Sequence, residues 1–109
     1  MAKNEIGKEN LQPLAQIDRV IHEPARLLVL AYLSVVESAD FLFLMNQTGL
    51  TRGNLSSHLS KLEAAGYIEI KKEFVEKIPR TFLRLTEGGR KAFHEYRHNM
   101  RRVLDSPAE

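Results

Sequence analysis

The stretch Thr51–Gly66, which reads TRGNLSSHLSKLEAAG, constrains the fold more than any other part of the chain. At 3.6 residues per turn it places Leu55, Leu59 and Leu62 on one stripe. Serine and asparagine are poor helix formers, so helix propensity does not explain the polar residues between them. The pattern predicts an amphipathic helix with one packing side. The opposite, outward side holds Gly53, Ser57, Ser60 and Lys61.

The small polar side of this predicted helix fits two readings. A DNA major groove admits one α-helix and displays hydrogen-bonding groups on every base pair, which favours short polar side chains on a docked helix. An ordinary amphipathic helix with a serine-rich solvent side explains the same residues. Motifs elsewhere in the chain are needed to decide between these two interpretations.

Turn signals on both sides place this helix in a helix-turn-helix. Asp40 and its two predecessors offer N-caps for a preceding short helix, about 41–48, which Gly49 can end in a left-handed conformation. Thr51 is suited to cap the next helix, and Gly66 to end it. The segment therefore predicts two helices joined by a glycine-containing turn.

After this helix the chain changes to the two-residue period that is typical of β-strands. Apolar residues alternate over 67–74 and over 80–85, with a loop at 75–79 between them. The two segments predict a β-hairpin that protrudes beside the helix as a wing. Its basic residues are Lys71, Lys72, Lys77, Arg80 and Arg84.

Two further helices carry more apolar surface than a chain of 109 residues can cover. The helix predicted from Pro24 to about Glu37 is apolar on nearly every side. The last helix, predicted from Glu87 to about Asp105, would be close to ~30 Å long. Its apolar residues form a narrow seam like that of a coiled coil, which predicts a homodimer. The seam consists of Phe93, Tyr96, Met100, Val103 and Leu104.

Composition limits the class of protein. Cysteine is absent, which excludes disulfides, iron–sulfur clusters and thiolate zinc sites. The longest apolar run, Leu27–Val36, is too short to cross a bilayer, and no signal sequence precedes it, so we expect a cytoplasmic protein. We expect a flexible segment over 1–12 and a single domain over 13–109.

Charge is unevenly distributed along the chain. The first 50 residues hold four Lys/Arg against six Asp/Glu, whereas the remainder holds twelve against eight. The basic excess therefore lies in the same half as the serine-faced helix. This distribution favours an anionic partner.

In combination these motifs carry a family resemblance. The runs TRGNLSSHLSKLEAAGYIEI and KIPRTFLRLTEGGRKAF resemble the winged helix-turn-helix transcriptional regulators of prokaryotes, in the small branch related to the MarR and ArsR types. The implied fold is mostly α with a small β-hairpin (α+β) and a long C-terminal dimerisation helix. The residues that carry the resemblance are Asn54, Leu55, Ser56, His58, Leu59, Leu62, Gly66, Thr81, Leu85, Thr86 and Gly89.

The resemblance implies a homodimer that binds double-stranded DNA at a pseudo-palindromic operator, with half-sites ~34–36 Å apart. The recognition helix, about 52–65, would enter the major groove, and the wing, about 71–81, would touch the flanking backbone or minor groove. Dimerisation would also use the N-terminal residues Leu14 and Ile17. The DNA-contacting residues implied by the resemblance are Arg52, Asn54, Ser56, Ser57, His58, Lys61, Lys72, Lys77 and Arg80.

Individual roles follow from side-chain chemistry. Arg52 can form two hydrogen bonds with guanine, and Asn54 can read adenine or hold a phosphate. Lys61 would neutralise a phosphate. His58 has two readings: a phosphate contact that strengthens on protonation, or a neutral histidine hydrogen-bonded inside the fold, which we favour.

Other functions have less support. His94 and His98 are one helical turn apart with Glu95 near them, as two metal ligands on a helix would be, but a solvated helix face explains them better. We predict no metal and no cofactor. No phosphate loop, nucleophile elbow or carboxylate motif indicates an enzyme. A winged-helix module that binds only proteins is the main alternative, and an unidentified small-molecule effector is compatible with the resemblance.

Overall fold

The computed structural model describes residues 15–105, which form four α-helices and a three-stranded antiparallel sheet. The helices are α1 (Pro24–Leu33), α2 (Phe41–Thr48), α3 (Arg52–Ala64) and α4 (Glu87–Leu104). The strands are β1 (Ala39–Asp40), β2 (Ile68–Val75) and β3 (Ile78–Leu85), in the order β1–β3–β2. Within this part of the chain no helix has both the length and the apolar content that crossing a bilayer requires.

Side-chain caps fix the starts of all four helices. Glu23, Asp40, Thr51 and Thr86 each accept a backbone N–H from the first turn of the helix that follows. Gly49 ends α2 with φ of 71°, a conformation that glycine adopts without a steric cost. The mostly α winged helix-turn-helix fold and the long last helix are therefore confirmed.

Helix α1 ends at Leu33, earlier than the predicted Glu37. The backbone N–H of Ser34 bonds to the carbonyl of Leu30, and the Ser34 hydroxyl donates to the carbonyl of Ala31 at 2.7 Å. The next residues, Val35 and Val36, are β-branched and lower the helix propensity.

The sheet differs from the predicted hairpin in two details. Strand β1 was not predicted, because a pair of residues is too short to show a period; it pairs with β3 at Ala39↔Leu83. The predicted loop 75–79 is a two-residue turn, Glu76–Lys77, with φ of 52° and 69°. Both strands therefore extend to the tip of the wing, where Val75 pairs with Ile78.

The core lies between α1, α2, α3, the sheet and α4. The predicted stripe on α3 is confirmed: Leu55, Leu59 and Leu62 are at most 2% exposed. Helix α4 meets the sheet at Gly89, where a Cβ would lie 2.7 Å from the backbone carbonyl carbon of Tyr67. This contact fixes how closely α4 packs.

The predicted dimer seam is partly used inside the protomer. Ile17, Phe93 and Tyr96 are at most 8% exposed and belong to the protomer's own core, and their role in a dimer stays a prediction. Tyr96 lies against the residues that precede α1, because its hydroxyl is 2.9 Å from Nδ1 of His22. Leu104 is 74% exposed, whereas Met100 and Val103 are half-buried. Leu14 and the predicted flexible segment 1–12 lie outside the described residues.

Candidate nucleic-acid interface

Helix α3 presents its polar residues to the outside because its three leucines anchor the opposite side in the core. The outward residues are small or flexible, so a flat partner can approach the helix closely. Every α3 residue predicted to contact DNA except His58 is exposed. These residues are Arg52, Asn54, Ser56, Ser57 and Lys61.

The start of α3 is fixed by its cap and by an aromatic contact. The Thr51 hydroxyl oxygen accepts from the backbone N–H of Asn54 at 3.1 Å. The guanidinium carbon of Arg52 lies 5.3 Å from the centre of the Phe41 ring, within the range of a cation–π contact. Arg52 is thereby held at the junction of α2 and α3.

A groove separates α3 from the hairpin. Its α3 side carries Arg52, Ser56, Ser60 and the acidic Glu63, and its hairpin side carries Lys72 and Thr81. The floor is apolar. The floor residues are Phe41, Leu59, Ile70 and Leu83.

The other basic residues of the wing differ in their surroundings. Lys77 is exposed in the turn at the tip. Arg80 donates through Nη1 to Oδ2 of Asp40 at 3.0 Å, so part of its charge is compensated within the fold. Lys72 is exposed and forms no salt bridge among the described residues.

Apolar side chains at the wing tip were not anticipated. Phe74 is 77% exposed and Ile78 is 58% exposed. The hairpin extends beyond the core, so the period that buries Ile68 leaves Phe74 in solvent.

His58 lies on the flank of α3, and its ring is engaged inside the fold. Its Nδ1 is 3.2 Å from Nη1 of Arg26 and 3.7 Å from Oε1 of Glu23. Because a guanidinium only donates, Nδ1 of His58 is the acceptor in the hydrogen bond with Arg26. This geometry favours the internal role over the phosphate contact.

Arg26 is a residue whose role the sequence did not reveal. It is 9% exposed, and its Nε donates to the backbone carbonyl of Val20. Burial opposes ionisation of Glu23, but the N–H of Arg26 and the positive charge near the carboxylate outweigh it and lower the Glu23 pKa. No local pattern marks this cluster, because Arg26 and His58 are far apart in sequence.

The two histidines of α4 lie at the protein surface. His94 and His98 are exposed and border a shallow pocket with Gln16, Glu95 and Asn99. Within residues 15–105 no three His, Asp or Glu side chains are grouped so that they could hold a metal ion.

Comparison with known families identifies the domain. A family model described as "Winged helix DNA-binding domain" matches residues 25–104. The chain is also 36% identical, over 78 residues, to an uncharacterised protein of Methanocaldococcus jannaschii. That match covers 72% of this chain and 85% of the relative.

Solved structures of regulators have the same fold. A transcriptional regulator homologue from Pyrococcus horikoshii OT3 superposes with a TM-score of 0.77 at 27% identity, over 93% of this chain and 95% of that one. The structure of NadR in complex with 4-hydroxyphenylacetate superposes with a TM-score of 0.66 at 25% identity, over 96% of this chain and 72% of that one. A MarR-family regulator from Silicibacter pomeroyi superposes with a TM-score of 0.61 at 23% identity, over 95% of this chain and 70% of that one. At this identity the similarity shows the fold alone.

Proposed function

Because the chain belongs to the winged helix DNA-binding domain family, related to the MarR type of regulator, we propose that it regulates transcription as a homodimer that binds a specific duplex sequence. In this proposal α3 enters the major groove and the hairpin touches the flanking backbone or minor groove. The observation that carries it is the exposed polar side of α3 beside the basic hairpin. The proposal also locates the protein in the cytoplasm, where it meets DNA.

Each proposed contact has a chemical reason. Arg52, at the start of α3, reads guanine, and Asn54 reads adenine or holds a phosphate. Ser56 and Ser57 are short enough to bond base edges or phosphates at close range, and Lys61 neutralises a phosphate. On the wing the proposed contacts are Lys72, Lys77 and Arg80.

The test is the salt dependence of binding to a duplex. Each phosphate neutralised contributes about −0.9 to the slope of log affinity against log salt. Lys61→Ala should weaken binding to every sequence and make the slope less steep by about one. Arg52→Ala should in addition relax base preference at one position, at a cost of about 1–3 kcal/mol of discrimination.

A charge-matched control is Lys91→Ala. Lys91 is an exposed residue of α4, and this variant should bind DNA like the wild type. Unchanged affinity and slope in both α3 variants would reject the proposal. Fluorescence anisotropy of a labelled duplex over a series of salt concentrations measures both quantities.

The dimer proposal rests on the outer end of α4. Met100, Val103 and Leu104 keep apolar surface outside the protomer core, and the same residues of a second copy can cover it. A two-fold dimer would place its two α3 helices ~34–36 Å apart on a pseudo-palindromic operator. A small-molecule effector is part of the proposal too, since the related NadR was solved with 4-hydroxyphenylacetate.

One observation favours protein binding as a second function. Helix α1, the segment after it and α2 expose apolar residues at 40–50%, among them Leu28, Val36, Leu42 and Phe43, and the ring of Phe43 lies 6.4 Å from that of Tyr32. Exposed apolar patches commonly mark protein contacts. Association through this patch should depend little on salt, whereas DNA binding should weaken steeply with salt.

A further inference from the structure

A short turn before α1 carries an arginine beside the proposed recognition helix. In this 18–21 turn, Oδ1 of Asp18 accepts from the backbone N–H groups of Val20 at 2.8 Å and Ile21 at 3.2 Å. Such local side-chain bonds fix the backbone of a turn. Ile21 is buried, whereas Arg19 is exposed. The turn therefore has a fixed base and an outward-pointing cation.

Two long-range contacts join the 18–21 turn to the elements around α3. The hydroxyl of Tyr67, which precedes β2, donates to Oδ2 of Asp18. Arg26 donates through Nε to the carbonyl of Val20 and through Nη1 to Nδ1 of His58 on α3. The position of the turn thus depends on the position of α3, and His58 and Arg26 act as positioning residues.

Arg19 and Lys61 line the same shallow depression, together with Ala64 at the end of α3 and Ala65, which caps that helix. The small alanine side chains leave this flank of the helix open. Within residues 15–105 neither Arg19 nor Lys61 forms a salt bridge. Their charges are therefore available to an external anion.

The depression lies on the side of α3 away from the hairpin. The groove on the hairpin side is lined by Arg52, Ser56, Ser60 and Glu63, whereas the depression is lined by Lys61, Ala64 and Ala65. On a helical projection these two sets occupy different flanks of α3. An α-helix is roughly 10–12 Å across and a B-DNA major groove about 12 Å wide, so phosphates run along both flanks of an inserted helix.

We propose that the 18–21 turn is a second phosphate-contacting element, in which Arg19 contacts the DNA backbone across the major groove from the wing. Lys61 lies beside it on the same flank. This inference rests on the proposed function, because it requires α3 to enter the groove. It assigns a DNA contact to a residue that is neither in the helix-turn-helix nor in the wing.

The first experiment measures binding of Arg19→Ala to a mixed-sequence duplex of about 30 base pairs, about three helical turns. Loss of one phosphate contact should lower the affinity about five-fold near 0.15 M salt and make the salt slope less steep by about one. Arg19→Lys keeps the charge and should retain most of the slope. Lys91→Ala removes one charge from α4 and should change neither quantity.

A double-mutant cycle tests whether the turn is positioned as described. Tyr67→Phe removes only the hydroxyl that bonds Asp18 and should weaken DNA binding by about two-fold or more. If it acts through Arg19, the same substitution should have no further effect in the Arg19→Ala background. Circular dichroism of each variant verifies that the protein compared is folded.

The outcomes separate the two proposals. Steep salt dependence in the wild type together with unchanged slope and affinity in Arg19→Ala would overturn this inference and leave the proposed function standing. A wild-type protein that does not bind duplex DNA at low salt would overturn both. Additive effects of Tyr67→Phe and Arg19→Ala would overturn the positioning role of the turn.

Discussion

At the scale of single residues, Tyr67 joins the chain before α1 to the sheet through one hydroxyl. Its hydrogen bond to Asp18, assisted by burial and by the negative charge of Asp18, raises the pKa of Tyr67 from 10.0 to about 12. The neutral phenol is therefore favoured in the folded state. Because the folded pKa is the higher one, this stabilisation is complete below the unfolded value and is lost between about pH 10 and about pH 12.

We therefore expect the free energy of unfolding to fall as pH rises through that interval, and Tyr67→Phe to reduce the fall. Urea unfolding at a series of pH values measures this free energy and its dependence on pH. Tyr32→Phe is the control, because within residues 15–105 the Tyr32 hydroxyl bonds only Gln47, at 3.4 Å, and the pH dependence should persist. An identical pH dependence in wild type and Tyr67→Phe would contradict the assignment.

Two adjacent glycines in the first turn of α4 have opposite constraints. A Cβ at Gly89 would collide with the backbone carbonyl of Tyr67, whereas a Cβ at Gly88 would meet only ordinary contacts at 3.7–3.8 Å. Gly89→Ala should therefore destabilise the protein by about 2 kcal/mol or more, because the neighbour is backbone. Gly88→Ala should be neutral or stabilising by up to about 1 kcal/mol. Equal stability of the two variants in denaturant unfolding would show that α4 packs differently.

Residues with local roles were predictable and residues with long-range roles were not. Thr51 and Gly49 were recognised as cap and terminator because these roles depend on neighbours in the sequence. Arg26 and His58 touch only in the folded chain, so sequence spacing carries no sign of their contact. The proposed role of Arg19 depends on the same long-range geometry.

At the scale of elements, the outward side of α3 carries a glycine that lowers helix stability. Gly53 is exposed, and a Cβ there would have no atom within 4 Å. Gly53→Ala should stabilise the fold by about 0.5–1 kcal/mol. The added methyl group would lie on the surface proposed to face DNA, so we expect duplex affinity to fall while thermal stability rises.

The matched control for this helix is Gly88→Ala, which lies on α4 and should leave duplex affinity unchanged. The midpoint temperature of thermal unfolding should rise by about 3–6 °C for Gly53→Ala in a domain of this size. If Gly53→Ala keeps full affinity for a selected operator, the outward side of α3 is not in close contact with DNA.

Element types were predictable where caps and periodicity agree. Helices α2, α3 and α4 and both long strands follow such signals. Strand β1 has only two residues and forms because β3 lies beside it, which no local pattern shows. The tight turn at the wing tip places Glu76 and Lys77 at positive φ, and neither is the glycine or asparagine that usually marks such a turn.

At the scale of the whole molecule, the proposed dimer depends on apolar surface that the protomer leaves open. Leu104→Asp puts a charge at a residue that is 74% exposed, so it should not disturb the folded protomer. In the proposed seam the charge would be buried without a partner, at a cost of several kcal/mol. We expect mostly monomeric protein in analytical ultracentrifugation, with weaker operator binding.

The control for the dimer test is His98→Asp, which adds the same group to an exposed position of α4 away from the seam. It should remain dimeric. A dimer of normal affinity in Leu104→Asp would place the two-fold contact elsewhere on the surface.

Packing between elements limits what the sequence can predict about assembly. The spacing of Phe93, Tyr96, Met100 and Val103 indicates an apolar side of α4 but does not say which partner covers it. In the fold the first two face the protomer's own core, Met100 packs partly against it, and Val103 is half-buried. Intramolecular and intermolecular burial give the same sequence pattern.

The hairpin extends out of the core beyond Ile70 and Leu83, and this affects its dynamics. Its outer half is held by strand pairing and by the Arg80–Asp40 salt bridge, with Phe74 and Ile78 in solvent. Backbone amides there can open in local fluctuations that do not disturb the helices, and so should exchange with solvent faster than those near Ile68. In the proposed complex, such a tip could adapt to duplexes of unequal groove width. The conformational freedom that it would lose on binding would lower the net affinity that it adds.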